Sequence, residues 1–313
     1  MRLVFMGTPD FAVGCLKEIL ASTHEVVAVV TTPDKPAGRG KKMHQSAVKA
    51  YALEQNIPVL QPEKLRDENF HAELQKFNAD IFVVVAFRML PKVVWDMPKY
   101  GTFNLHASLL PQYRGAAPIN WTIINGESQT GVTTFFINED IDTGNIIFRE
   151  SVTISDTDTA GTLHDKLMLT GANLIVKTLS AVEAGNYEAL KQDESIELKP
   201  APKIFKEDTR IDFTKTSAEV YNFIRGMAPY PAATAILVND EKELNLKIYS
   251  AKVAEASNLE PGSISTDNRS FIKVGTKNGA IELQEIQIPG KKRMEIKALL
   301  NGFELKQGAF IKQ

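Results

Sequence analysis

The densest group of chemistry-bearing side chains in this sequence is the pair Asn104 and His106, in Asn104-Leu105-His106-Ala107-Ser108-Leu109-Leu110-Pro111. On a strand, residues two apart point to one face, so the carboxamide and the imidazole project together. Such a pair suits acyl transfer. The amide donates to an oxygen that turns negative, and the imidazole stabilises that charge or moves a proton. Asn-x-His equally describes a hydrogen-bonded core histidine beside a turn asparagine, and taken by itself that is the more ordinary account. A second group, Asn138-Glu139-Asp140-Ile141-Asp142-Thr143-Gly144, is an acidic turn between two strands. Asp, Asn and Gly are ordinary turn residues, so a solvated turn also explains it. The glycine and distal glutamate of a calcium loop are not at the required spacing.

A third feature runs from Thr31 to Lys42 and carries Lys35, Arg39, Lys41 and Lys42 among two prolines and two glycines. A charge run is often only a solvated face. Here glycines flank Arg39 in a loop leaving a strand end, which suits an arm that grips phosphates. His24, His44, His71 and His164 have no ligand-spaced partners, and the one cysteine, Cys15, lies in an apolar run, so no metal is expected. Gly7-Thr8-Pro9 lacks the G-x-G-x-x-G pattern and no Walker sequence occurs, which disfavours nicotinamide and ATP sites.

The elements that must position these residues alternate in the first half. Strands are expected at Leu3–Met6, Glu25–Thr31, Pro58–Leu60, Asp80–Ala86 and Thr102–His106. Helical patterns over Phe11–Leu20, Ser46–Gln55 (Ser46 as cap) and Arg66–Phe77 separate them. Strands apolar on both faces imply an α/β, Rossmann-like, parallel-rich sheet, with ligands beyond the carboxyl ends of its strands. The loops after Met6, Ala86 and His106 then share one rim. A helix follows at Pro118–Asn125, strands at Gly131–Ile137 and Ile146–Ile154, and a long amphipathic helix at Thr162–Ala184.

Residues 190–206 are polar and hold Pro200 and Pro202, so they read as an extended linker between a domain over 1–189 and another over 207–313. The last part has a helical stretch at Ser217–Arg225 and short strands at Thr234–Leu237, Lys247–Lys252, Phe271–Val274, Ile281–Ile288 and Phe303–Phe310. That spacing points to a small β-barrel of OB type. At 313 residues two cores are comfortable, and 43% hydrophobic with 24% charged residues is the composition of a soluble protein. No run approaches the roughly 18 uninterrupted apolar residues of a membrane span. A cytoplasmic monomer is expected.

Together these segments resemble the folate-dependent formyltransferases, nearly end to end. The resemblance is carried by Phe5-Met6-Gly7-Thr8-Pro9, the Pro36–Lys42 loop, Asn104 to Pro118 and Asp142-Thr143-Gly144. It continues in Lys199-Pro200-Ala201-Pro202-Lys203-Ile204, Ile224 to Pro231 and Pro289-Gly290-Lys291-Lys292. It implies that Asn104, His106 and Asp142 act as a catalytic trio on 10-formyltetrahydrofolate, with Ser108, Leu109, Leu110 and Pro111 lining the folate site. Phe87, Arg88, Met89, Leu90, Asn138 and Asp140 would hold the pterin, largely through main chain. Phe87-Arg88-Met89-Leu90 departs from the commoner Tyr-Gly form of that segment, implying an altered pocket wall.

Within the family the resemblance is strongest to the branch whose acceptor is methionyl initiator tRNA, with Arg39, Lys41, Lys42, Lys291 and Lys292 as tRNA contacts. From residue 206 onward 16 Lys and Arg face 14 Asp and Glu, against 20 and 24 before it. So small an asymmetry does not by itself establish nucleic-acid binding. A sugar-nucleotide amine is the rival acceptor, and a binding module with an inert transferase fold the rival class.

Overall fold

A computed structural model describes residues 1–37, 42–254 and 258–312; Arg39 and Lys41 lie outside them. In chain order the first elements are β1 (Arg2–Gly7), α1 (Asp10–Leu20), β2 (Glu25–Val30), β3 (Lys35–Ala37), β4 (Lys42–His44), α2 (Ala47–Glu54), β5 (Val59–Leu60) and α3 (Glu68–Gln75). They continue with β6 (Ile81–Val85), α4 (Lys92–Trp95), β7 (Thr102–His106), α5 (Pro118–Ile124), β8 (Gln129–Phe136), β9 (Ile146–Thr153) and α6 (Ala160–Ala184). Two compact units result, one of Met1–Gly115, Gln129–Thr153 and His164–Ala201, the other of Ala116–Ser128, Ile154–Leu163 and Pro202–Gln313.

The described residues of the first unit build a seven-stranded sheet in the order β5-β2-β1-β6-β7-β8-β9. The first five strands are parallel, and β8 and β9 are added antiparallel. The expectation of a parallel-rich sheet therefore holds, with an antiparallel edge. β6 throughout, and β1 from Leu3 to Met6, are apolar and buried because both sheet faces are covered. On one face Val4, Met6 and Val84 pack with Phe70 and Leu74 of α3. On the other lies α6, where Thr178 bonds Thr134 at 2.9 Å and Gly171 makes room for Leu105.

By length and composition α6 could pass for a membrane span, but Leu163, Leu167, Leu174, Ile175, Leu179 and Val182 are buried in the protein. It is a core helix. Helix starts follow local chemistry: Ser46 accepts from the Lys49 N–H at 3.0 Å, and Asp67 accepts from the Asn69 N–H at 2.8 Å.

Register settles which face carries the chemistry. Asn104 pairs with Val84 on β6, and Leu105 with Val85. Asn104 and His106 therefore lie on the α3 side of the sheet, and Leu105 on the α6 side.

The second unit adds α7 (Ser217–Met227), β10 (Ala233–Asn239), β11 (Lys242–Ala254), β12 (Ile264–Thr266), β13 (Ile272–Thr276), β14 (Gly279–Gln287), β15 (Met294–Glu295), α8 (Ile296–Leu300) and β16 (Phe310–Lys312). A capping box between Thr216 and Glu219 starts α7. The strands pair in the order β12-β13-β14-β11-β10-β16, and a bridge from Ser263 to Phe310 nearly closes the barrel. The strand expected at Phe303–Phe310 is not formed; a strand begins only at Phe310. Side-chain amides replace the ladder there: Asn268 takes both backbone groups of Leu305 at 2.9 Å, and Asn239 takes Glu304 O and Lys306 N at 3.0 and 2.8 Å. Gly308, at φ +83°, then turns the chain.

Candidate active site

His106 ends β7 and is only 6% exposed. Its Nε2 lies 2.8 Å from the main-chain oxygen of Tyr113. A carbonyl only accepts, so Nε2 carries the proton and the neutral ring keeps its lone pair on Nδ1. Nδ1 faces Asp142 Oδ2 at 3.8 Å, beyond direct hydrogen-bond range but close enough for the carboxylate to stabilise a charge that forms on the ring. Tyr113 is itself fixed, with φ +60° and its N–H donating to Lys199 O at 2.7 Å. The Asn104 carboxamide is half-buried, and among the described residues nothing takes it as a hydrogen-bond partner.

Asp142 reaches His106 by an unusual route. β8 is antiparallel to β7, so the chain leaves it with the Ile137 N–H on Thr102 O, at the start of β7. It rejoins the sheet at Ile146, opposite Phe135, whose other partner is Asn104. Residues 137–145 thus arch over the face that carries Asn104 and His106. The sheet arrangement that places β7's end on the common rim does not place this loop there, and the arch is what closes the gap.

Asp142 sits at φ +55°, and its Oδ2 accepts the Gly115 N–H at 3.0 Å. Asn138 braces the outer half of the arch, its Oδ1 accepting from the Thr143 hydroxyl at 2.9 Å and the Asp140 N–H at 3.2 Å. At the foot, a Cβ on Gly144 would overlap the Phe136 carbonyl oxygen. Phe136 N–H also binds Asn145 O at 3.0 Å, so neither side can yield without breaking the β8–β9 junction. Gly144→Ala is expected to lower stability by about 1–3 kcal/mol, read as a fall in denaturant midpoint at unchanged m-value.

The expected folate residues leave adjacent strands on one rim. Phe87, Arg88, Met89 and Leu90 follow β6, and Ser108 to Pro111 follow β7. Ser108 and Leu110 are buried and tied to β8: Thr133 donates its hydroxyl to Ser108 O at 2.6 Å and accepts from the Leu110 N–H at 3.1 Å. Leu109 is half-buried. Met89 and Ile141 stay 65% and 62% exposed, leaving an apolar side chain free on each of the two segments expected to meet the pterin. The Arg88 guanidinium turns to the carbonyls of Pro62 and Glu63, leaving Nε unpartnered, and burial pulls its pKa below the usual arginine range. Asp140 is exposed.

The basic loop has a built root. Thr31 and Ser46, at its two ends, join hydroxyls at 2.7 Å. Asp34 receives Lys49 Nζ at 2.6 Å and Gln61 Nε2 at 2.8 Å, which hold its carboxyl below the ordinary range. Above this root β3 and β4 pair as a hairpin that includes the Lys42 backbone. In the second unit Lys291 and Lys292 are exposed on the turn after β14, which Gln287 braces by donating to Lys291 O at 2.9 Å. The neighbouring Arg293 is committed elsewhere: it forks onto Glu285 at 2.5 Å and lies 4.4 Å from the Tyr249 ring centroid.

Sequence reasoning missed the residues that hold the trio's surroundings. The stretch read as a linker is extended, yet up to residue 201 it bonds repeatedly to the site loops. Lys199 O holds Tyr113, Ala201 N–H donates to Arg114 O at 2.9 Å, and Gln192, 4% exposed, reaches Asp142 O and Gly144 O. A glutamine in a polar run carries no signal of burial.

Two family models match the chain: formyl transferase over residues 1–179, and formyl transferase, C-terminal domain, over 203–304. It is 52% identical over 313 residues to a protein of Bacteroides thetaiotaomicron named methionyl-tRNA formyltransferase, covering 98% of this chain and 97% of that one. A Flavobacterium johnsoniae protein of the same name is 53% identical over 303 residues, covering 96% of each. Among solved structures, WlaRD, a sugar 3N-formyl transferase crystallised with dTDP and 5-N-formyl-THF, aligns at TM-score 0.66 and 23% identity, over 93% of this chain and 99% of that one. HypX from Aquifex aeolicus, in complex with tetrahydrofolic acid, aligns at TM-score 0.64 and 19% identity over all of this chain and 51% of that one. At such identities the likeness is one of fold.

Proposed function

This chain belongs to the formyl transferase family, and we propose that it transfers the formyl group of 10-formyltetrahydrofolate to the amino group of methionyl initiator tRNA. The observation that carries the reaction is the convergence of His106 Nδ1, the Asp142 carboxylate and the β7 face of Asn104 at one rim of the sheet. The acceptor is supported by near-full-length relatives bearing that name.

The neutral amine attacks the formyl carbon, a C–N bond forms and the formyl oxygen becomes an oxyanion. Asn104 donates its amide to that oxygen. With Nε2 tied to Tyr113, Nδ1 is the nitrogen left for chemistry. It takes the proton the amine must lose, Asp142 stabilises the resulting imidazolium, and the proton passes to the folate N10 as the C–N10 bond breaks. Main chain at 87–90 and the arch 138–142 hold the pterin, with Met89 and Ile141 as apolar walls. Arg39, Lys41 and Lys42, with Lys291 and Lys292, contact tRNA phosphates. Such a role belongs to translation initiation, in the cytoplasm.

The test is an assay of purified protein with 10-formyltetrahydrofolate and charged initiator tRNA, with uncharged tRNA and UDP-amino-sugars as comparison acceptors. Formyl-methionyl-tRNA is the expected product. Formylation of a sugar alone would remove the tRNA claim and leave the trio's chemistry standing.

A further inference from the structure

We propose that Gln192 is a positioning residue that holds Asp142 against His106, a role that rests on the formyl-transfer reading for its kinetic consequence but not for its structural one. Its Nε2 donates to Asp142 O at 2.8 Å and Gly144 O at 2.9 Å. Its Oε1 accepts from Arg114 Nε at 3.1 Å and Nη2 at 2.7 Å. Both amide protons and both oxygen lone pairs are thereby used, in a side chain that is 4% exposed. Glutamate would lack the two donors, lysine the acceptor, and methionine of similar length all four bonds.

The three segments so joined are those the site needs in register. Asp142 occupies the left-handed region, which a non-glycine residue keeps only when its surroundings hold it there. Asn138 braces the outer half of the arch, while Gln192 holds its inner half through residues 142 and 144. Arg114 precedes Gly115, whose N–H binds the Asp142 carboxylate at 3.0 Å and which pairs in turn with Ala201. One carboxamide therefore grips the Asp142 main chain from one side and, through Arg114, the loop that receives its carboxylate from the other. Arg114 also pairs with Glu194 at 3.0 Å, which orients its guanidinium toward Gln192. Without the glutamine, two carbonyls lose their donor, the arch relaxes, and the carboxylate leaves both Gly115 and His106.

The test compares Gln192→Met, similar in size but without hydrogen bonds, and Gln192→Glu, which keeps an acceptor for Arg114 but sets a carboxylate oxygen against the two carbonyls in place of the donor. Both are expected to lower kcat about 10- to 100-fold, with KM for 10-formyltetrahydrofolate near the parent's. Both should also lower the thermal midpoint while the protein still melts cooperatively, because two carbonyls lose their donor. Amide exchange supplies a readout independent of activity. The Gly115 N–H should exchange about tenfold faster in both variants, while amides of β6 keep their protection. A kcat within about twofold of the parent, or unchanged Gly115 protection, overturns the role. So does a loss of rate that only follows global unfolding or loss of donor binding. If Gln192→Met fails to fold, Gln192→Glu gives the same two readouts. If the parent itself transfers no formyl group, the functional reading falls, and Gly115 exchange alone decides whether Gln192 holds the arch.

Discussion

His106→Ala is expected to lower the rate of formyl transfer about 10²- to 10⁴-fold, the range for loss of a positioned acid–base group. Binding of 10-formyltetrahydrofolate should change little, because the pterin contacts proposed here lie on other segments. The geometry separates two contributions of this ring. Nε2–H satisfies the Tyr113 carbonyl, and Nδ1 faces Asp142 and carries the proton transfer. Alanine removes both, and with them one hydrogen bond to a buried carbonyl, which costs about 0.5–1.5 kcal/mol of stability.

His106→Gln divides the two effects, since its amide can still donate to Tyr113 O but has no nitrogen that titrates. It should recover most of the stability and none of the rate. Single-turnover kinetics beside denaturant melts measure both. A His106→Gln enzyme within tenfold of the parent rate would refute the role given to Nδ1.

Asn104 should behave differently because it acts on charge rather than on protons. Asn104→Ala is expected to lower kcat about 10²- to 10³-fold, as for loss of one oxyanion donor. Asn104→Asp is the sharper variant. It is nearly isosteric and removes the donor, and it sets a carboxylate where the formyl oxygen becomes negative. Its rate should therefore fall below that of Asn104→Ala, with KM for the folate little changed. The Asn104 side chain has no protein partner among the described residues, so neither substitution orphans a buried group and stability should stay near the parent's. Equal rates for the two variants would mean that Asn104 is not at the developing charge.

Much of the fold was legible because its signals are local. Apolar runs such as Ile81–Val85, the Ser46 cap and the glycine after α6 depend only on neighbours a few residues away, and the expected elements stand there with small changes in their ends. Where the expectation failed, at Phe303–Phe310, the local pattern did look like a strand. What competed was tertiary: Asn239 and Asn268, 65 and 37 residues away in sequence, satisfy that backbone in place of a ladder.

The candidate site divides the same way. The period of a strand alone sets Asn104 and His106 on one face, and the order of elements alone sets that face at a sheet's carboxyl rim. The sequence could not say that β8 turns antiparallel, that an arch with a left-handed Asp142 crosses the sheet to reach His106, or which imidazole nitrogen is free. Nor could it show that Gln192, in a stretch read as linker, is buried among carbonyls, or that Arg88 is drawn to Pro62 and Glu63. Periodicity and caps are interactions between near neighbours, so they are written in the order of residues. Asp142 lies 36 residues from His106 and Gln192 a further 50 from Asp142, and contacts at such separations exist only once the sheet has set its register.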